Sequence, residues 1–215
     1  DHHISNTFYA DVNLVDITAA ATGEIVYRIG RKLTDNIDKL TAEALYTAIS
    51  TDTGSFCFRN TTAQSYRIAS ELIDCGINIE RITTLLYKTN RIERVRLLAK
   101  ALHSLELFED NKIAIITITR KDLAATGAME SEMENMVNYA KDIAGVEIGI
   151  LLKESEDGTV RISFRSKGKI DVSVLAGQFG GGGHQAAAGA SLQMNIQQAG
   201  QEVLKAARKT LGAGM

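Results

Sequence analysis

The sequence contains no proline. Its turns must therefore draw on glycine, asparagine and aspartate, the other residues that turn geometry favours. Cysteine is scarce as well. Cys57 and Cys75 stand far apart and form no C-x-x-C pair. That excludes a disulfide-stapled secreted scaffold and favours a reduced, cytoplasmic protein. Both thiols read as small core or loop residues. No apolar run approaches the roughly 18 residues of a membrane helix, and no targeting segment is visible. Neither sign of charge is in surplus: 24 Lys and Arg stand against 26 Asp and Glu, a net −2. Such a balance gives no bulk attraction to long nucleic acid or an anionic membrane, and leaves room for a small anionic ligand in a local basic pocket. The six tyrosines form no stacking platform for single strands. An initiator methionine is missing too, so the chain is expected to be incomplete at its N-terminus.

What remains is ordinary globular material, 45% apolar and 23% charged over 215 residues, enough for one large domain or two small ones. Helical spacing of apolar residues predicts helices over 19–33, 41–49, 61–75 and most of 78–108, the last broken near Asn90. Gly76 suits a left-handed helix end. The composition then changes. KIAIITIT (112–119) reads as a buried strand. Residues 131–144 read as a helix, and 146–153 and 159–165 as two strands around the turn ESEDG. A short helix over 172–179, a strand over 190–194 and a helix over 196–211 complete the pattern. The first ~105 residues are thus mainly helical and the rest an α+β module, with the boundary near the polar EDN at 109–111.

Four stretches carry candidate chemistry. The first is Asp1-His2-His3. Adjacent histidines on a strand point to opposite faces, so in a loop one can hold a metal while the other faces a substrate, with Asp1 fixing a ring tautomer. A His-His pair near a terminus is also what a tag leaves behind. The second is Thr51-Asp52-Thr53-Gly54-Ser55, where Asp52 offers a hard oxygen ligand. Alone it reads as an aspartate turn at a helix end. Together with the histidines it makes an imidazole–carboxylate set suited to Mn²⁺ or a similar ion. The third is QFGGGGH, where Gly182 and Gly183 free the backbone to approach an anion and His184 adds a donor. A flexible linker is the plainer reading, and the apolar flanks argue against it. The fourth is RISFRSKGK, in which Arg161, Lys167 and Lys169 surround Arg165 and Ser166. Arg165 can clamp a phosphate in two-pronged fashion, whereas Lys167 and Lys169 read as a solvated strand end.

DHHISN, STDTGSF some fifty residues later, and FRSKGKIDVSVLAGQFGGGGHQAAAGA resemble the DHH phosphoesterases with their DHH-associated C-terminal domain. The likeness is nearest to the small bacterial enzymes that degrade nano-RNA and dephosphorylate 3′-phosphoadenosine 5′-phosphate. Each motif alone is moderately specific, and the three in order are highly so. The resemblance implies an α/β fold: a truncated DHH α/β domain, mostly helical in what is present, over residues 1–88, a helical connector over 89–110, and a smaller α+β nucleotide-binding domain over 111–215. It implies His2 and Asp52 as metal ligands, His3 as phosphate contact or proton donor, and Asp1 as its orienting partner. It further implies that Arg165, Ser166, Gly182, Gly183 and His184 hold the substrate in a cleft between the domains. The cofactor expected is Mn²⁺ as a two-metal pair, with Mg²⁺ or Co²⁺ as alternatives. The expected partner is short RNA or a mononucleotide bisphosphate, with no long nucleic acid and no membrane in this segment, and the apolar helices are compatible with a homodimer. The family's early H-x-x-P-D-x-D motif is absent, so the isolated chain is expected to bind metal weakly and to be inactive. A cyclic-dinucleotide phosphodiesterase and a non-catalytic nucleotide-binding module are the rival readings.

Overall fold

The computed structural model describes residues 1–3 and 6–213. The chain divides into two compact units, Asp1–Thr89 and Asn90–Met215.

The first unit is a helical cluster. After an irregular segment come α1 (Thr22–Leu33), α2 (Lys39–Asp52), α3 (Ala63–Asp74) and α4 (Ile79–Thr83), the last continuing into a π turn at Thr84–Lys88. Local signals set the ends. Asp38 caps α2 by accepting from the Thr41 amide, and Thr62 and Ser65 form a reciprocal capping box on α3. Gly76 takes φ +78 just past α3, where a side chain would be strained. The core joins Tyr27, Leu45, Tyr46, Ile49, Ile68 and Leu72. At Gly23 an added Cβ would stand 3.0 Å from the Ala48 Cβ, so α1 and α2 approach closely there.

The segment before α1 is pinned by Asp16. Its carboxylate accepts from the Thr18 amide and hydroxyl and pairs with the Arg28 guanidinium. These bonds, the Thr18 hydroxyl first, push its pKa down to about 2. A carboxylate lowered on folding contributes stability above its unfolded value of about 3.9 and loses it as pH falls toward the folded value. Asp16→Asn is therefore expected to flatten the acid limb of stability between about pH 4 and about pH 2. Urea midpoints for both proteins across that window check it. Parallel curves would show that Asp16 contributes nothing.

The second unit is a six-stranded sheet with helices on both faces. It contains α5 (Ile92–His103), β1 (Glu106–Phe108), β2 (Ile113–Ile118), α6 (Arg120–Thr126), a 3₁₀ turn (Glu130–Met133) and α7 (Val137–Lys141). Then come β3 (Ile148–Glu154), β4 (Val160–Ser166), α8 (Val172–Gly177), β5 (Gly182–His184), β6 (Ala187–Leu192) and α9 (Ile196–Ala213). Strand order is β1-β2-β3-β4-β6-β5, with only β2 and β3 parallel. One face packs Ile148, Ile150, Ile162 and Phe164 against Val172, Leu175, Ala199 and Val203 of α8 and α9. The other packs Ala114, Ile116, Ile118 and Leu151 against Leu97 and Ala101 of α5 and Val137 and Ala140 of α7. Strands β2 and β3 are covered on both faces, which is why they read as continuous apolar runs. Strand β4 alternates buried and accessible positions, so one of its faces is open.

The structure departs from the sequence reading in several places, β5 (Gly182–His184) in the glycine run among them. Residues 106–108 form an edge strand, not a helix end. The helix expected over 131–144 is split in two, because Asn135 takes φ +63, a conformation Asn tolerates and a helix interior does not. Helix α6 is an addition to the expected elements, with Thr119 and Asp122 forming its capping box. On α5 the buried stripe is Leu97 and Ala101, while Val95 and Leu102 of the expected stripe are exposed.

Candidate functional site

The chemistry in the first unit gathers where residues 1–3 lie beside the 16–20 segment. The Asp16 amide donates to the Asp1 carbonyl at 3.0 Å. His2 Nδ1 lies 3.3 Å from the Ala19 carbonyl oxygen. A carbonyl only accepts, so Nδ1 carries a proton. The other ring nitrogen, Nε2, faces Asp52 Oδ2 at 3.5 Å. An imidazole nitrogen and a carboxylate oxygen set this close pair directly when the ring is protonated and offer two ligand atoms to a small cation when it is not. The His2 side chain is 16% exposed and that of Asp52 43%, so the gap is sheltered on one side and open on the other.

His3 is turned differently. Its Nδ1 donates to Asp1 Oδ1 at 2.8 Å, which leaves Nε2 on an exposed ring. The Asp1 carboxylate also accepts from the amides of His2 (2.7 Å) and His3 (3.3 Å) and from Asn6 Nδ2 (2.7 Å). With four donors on two oxygens, Asp1 is spent on holding the loop and orienting His3. The potential ligand atoms of Asp1, His2 and His3 lie within 4.8 Å of one another. An imidazole with carboxylates accommodates a divalent ion such as Mn²⁺.

Asp52 ends α2 and is followed by a turn of unusual hand. Gly54, Ser55 and Phe56 take φ +56, +57 and +63 in succession. Two non-glycine residues there carry strain that surrounding bonds must hold. Thr53 supplies them: its buried hydroxyl donates to Ile49 O at 2.6 Å and accepts from the Phe56 amide at 3.1 Å. Phe56 is wedged beside Tyr46 and Tyr66, ring centroids 5.8 and 5.3 Å away. In this DTG, the aspartate alone faces outward with a free functional group, while threonine and glycine build the turn.

Asn60 joins the site without belonging to any motif. Its Nδ2 donates to the carbonyls of both Ala20 and Asp52, each at 3.0 Å. From the other side of Ala20, buried Glu24 accepts from the Ala20 amide at 3.2 Å and from the Ser65 hydroxyl at 2.6 Å. One carboxamide thus ties the peptide beside the His2 anchor to the peptide of Asp52. The only sequence signal for it is an asparagine a few residues past the DTG turn.

In the second unit Arg165, Gly182 and His184 fall on the sheet face that α5 and α7 cover over β2 and β3 and leave accessible over β4, β6 and β5. Register aligns Gly149, Arg165, Ala187 and His184 across β3, β4, β6 and β5. The next row is Leu151, Ser163, Gly189 and Gly182. Residues in such rows share a face. Arg165 and His184 therefore flank a floor made of the Ala187 methyl. Above Gly182 an added Cβ would meet nothing within 4 Å, whereas at Gly181 it would stand 2.1 Å from Gly189 O and at Gly183 2.5 Å from Ala187 O. Two of the glycines let backbone lie on backbone, and Gly182 leaves the floor bare. Burial holds the Arg165 guanidinium below its usual pKa, and its Nη1 donates to Phe164 O at 3.0 Å. Ser166 stands apart from the others. It pairs with Ile148, on the apolar face, and its buried hydroxyl donates to Ile170 O at 2.7 Å, shaping the SKGK turn.

Among the described residues no helix is long and apolar enough to cross a membrane. Residues 110–213 match the model of the DHHA1 domain. The chain is 32% identical over 195 residues to the bifunctional oligoribonuclease and PAP phosphatase NrnA of Bacillus subtilis, a match covering 89% of this chain and 61% of that protein. It is 31% identical over 212 residues to the Thermus thermophilus protein of the same name, covering 98% and 63%. An exopolyphosphatase-related protein from Bacteroides fragilis superposes with a TM-score of 0.89 at 28% identity, over 99% of this chain and 62% of that one. The chain therefore spans about three fifths of the length of the curated relatives it matches. Residues 110–213 thus form a DHHA1 domain, and nearly the whole chain is similar to the two NrnA proteins.

Proposed function

We propose that this chain is part of a metal-dependent phosphoesterase that hydrolyses short oligoribonucleotides, 3′-phosphoadenosine 5′-phosphate, or both. The observation that carries the reading is His2 Nε2 set 3.5 Å from Asp52 Oδ2, an imidazole and a carboxylate brought together from two distant motifs. The relatives named for oligoribonuclease and PAP phosphatase activity support the substrate class. His2 and Asp52 would hold a divalent cation, Mn²⁺ first among candidates, which would supply Lewis-acid stabilisation of charge developing on a phosphoryl oxygen. The protein's own groups do the rest. His3, fixed through Nδ1 by Asp1, presents Nε2 outward and is placed to contact the phosphate or protonate the leaving oxygen. The Asp1 carboxylate stabilises the imidazolium that such a donor requires. In the second unit, Arg165 and His184 neutralise and orient the phosphate of a nucleotide lying on the glycine floor. Near-neutral net charge favours a short substrate over a long strand.

Calorimetric titration of the chain with adenosine 5′-phosphate tests the second-unit half. Charged hydrogen bonds to phosphate are worth about 1.5–3 kcal/mol each, so Arg165→Ala and His184→Ala should each weaken binding about 10- to 100-fold, with or without Mn²⁺. Binding unchanged in both variants sinks the assignment. Product analysis on linear and cyclic dinucleotides, in the presence of Mn²⁺, separates the oligoribonuclease reading from the cyclic-dinucleotide one.

A further inference from the structure

The carbonyl that anchors His2 belongs to a peptide held from behind. The Ala19–Ala20 peptide presents its oxygen to His2 Nδ1 at 3.3 Å and its N–H to Glu24 Oε2 at 3.2 Å. One rigid peptide plane thus carries a histidine on one edge and a carboxylate on the other. Ala20 and Ala21 are buried, so that N–H is sheltered from water and takes Glu24 as its acceptor. The other Glu24 oxygen, Oε1, accepts from the Ser65 hydroxyl at 2.6 Å. Ser65 is itself fixed in the capping box of α3. Glu24 is therefore held from α3, and in turn holds the peptide on which His2 rests.

Ordinary helix capping does not account for this placement. Glu24 stands three residues after Ala21, the N-cap of α1. A capping box would send its side chain back to the Ala21 amide. It reaches one residue farther, to the amide of the peptide that faces His2. Glu24 is 3% exposed, and among the described residues no Lys, Arg or His lies within ion-pairing distance of it. Burying a carboxylate without a cation is costly, and a glutamine could hydrogen-bond the same two groups at less cost. A cation bound at His2 and Asp52 is a charge that would offset that cost. Hydrogen bonds in series polarise one another. A carboxylate behind the N–H makes the Ala19 oxygen a stronger acceptor, which keeps the proton on Nδ1 and leaves Nε2 as the more basic ligand atom.

We propose that Glu24 is a positioning residue for the metal ligand His2. Through the Ala19–Ala20 peptide it selects the Nδ1–H tautomer and so strengthens cation binding at Nε2. The inference rests on the reading of His2 and Asp52 as metal ligands, and extends it to a buried residue hydrogen-bonded to neither.

Glu24→Gln on the full chain is the test. The carboxamide keeps the shape, can accept from the Ala20 amide and donate to Ser65, and carries no charge. The first readout is the ring-nitrogen chemical shifts of His2 in the metal-free protein, at about pH 9, well above the ordinary imidazole value. They report which nitrogen carries the proton. Wild type should show Nδ1–H, and Glu24→Gln a mixture of both tautomers. The second readout is Mn²⁺ affinity from the free-ion paramagnetic resonance signal. Glu24→Gln should bind about tenfold more weakly, the low end of what groups that orient ligands typically contribute. Hydrogen exchange of the α1 and α2 amides checks that the fold is kept. A cap that serves stability alone would change exchange and leave tautomer and affinity as they are. That result overturns the proposal, and so does a change in one readout without the other. A wild-type ring in the Nε2–H form overturns it whatever the variant does. His2→Ala separates its failure from that of the underlying reading. If His2→Ala loses Mn²⁺ while Glu24→Gln matches wild type in both readouts, only the extension falls. If wild type binds no Mn²⁺, or His2→Ala binds as wild type does, the metal reading is wrong and the extension falls with it.

Discussion

Phe164→Ala is expected to cost the second unit about 3–5 kcal/mol, the range for emptying a buried phenyl site. Phe164 is fully buried in the core of β4, α8 and α9. Its ring lies parallel to that of Phe179, centroids 6.4 Å apart and planes within 13°. Phe179 immediately precedes the glycine run, and Arg165 immediately follows Phe164 on the strand. One packing contact therefore underpins both ends of the nucleotide floor. The chain has two units, so a single global transition does not describe its unfolding. Hydrogen exchange of the β4 and β6 amides reads the effect locally. Protection there should drop by two or more orders of magnitude, while the α2 and α3 amides keep theirs. A loss below about 1 kcal/mol would mean that neighbouring side chains close the cavity.

The same sheet shows why parts of the fold are legible in the sequence. KIAIITIT is β-branched on both faces because helices cover both faces of β2, and that double burial writes itself into composition. The hairpin of β3 and β4 is legible from its turn, where Gly158 takes φ +79. Strand β5 is not, because Gly182 and Gly183 belong to a residue type depleted in strands. They are strand residues here because β6 backbone comes so close that a Cβ at Gly183 would strike Ala187 O. The break in the 131–144 helix rests on the single dihedral of Asn135, which no periodicity encodes.

The site divides in the same way. Residues whose chemistry is carried by their type, His2, His3, Asp52, Arg165 and His184, stand out in the sequence. Residues that act by bridging two backbone groups do not. Asn60 reaches carbonyls 40 and 8 positions away, and any side chain can own those carbonyls. Ser166 shows the converse: adjacency to Arg165 suggests a shared role, yet period-two alternation sends the two side chains to opposite faces.

Mn²⁺ binding by the first unit should respond to three substitutions in a definite order. His2→Ala removes a nitrogen donor and Asp52→Ala its facing oxygen. With few protein donors gathered at this loop, either loss should take binding below detection. Asn60→Ala leaves both donors in place and loosens their spacing, since the Ala20 and Asp52 carbonyls are no longer tied. Groups that orient ligands typically change metal affinity about 10- to 100-fold, so Asn60→Ala should bind measurably but more weakly. Asn60 is exposed, and water can take over both carbonyls, so folding stability should change by only about 1 kcal/mol. The free-Mn²⁺ paramagnetic resonance signal, followed during titration, counts unbound ion without requiring any turnover. An Asn60→Ala protein that binds like wild type would reduce the carboxamide to a loop tether. A His2→Ala protein that binds like wild type would mean that His2 and Asp52 hold no metal, and the phosphoesterase chemistry assigned to this loop would lose its basis.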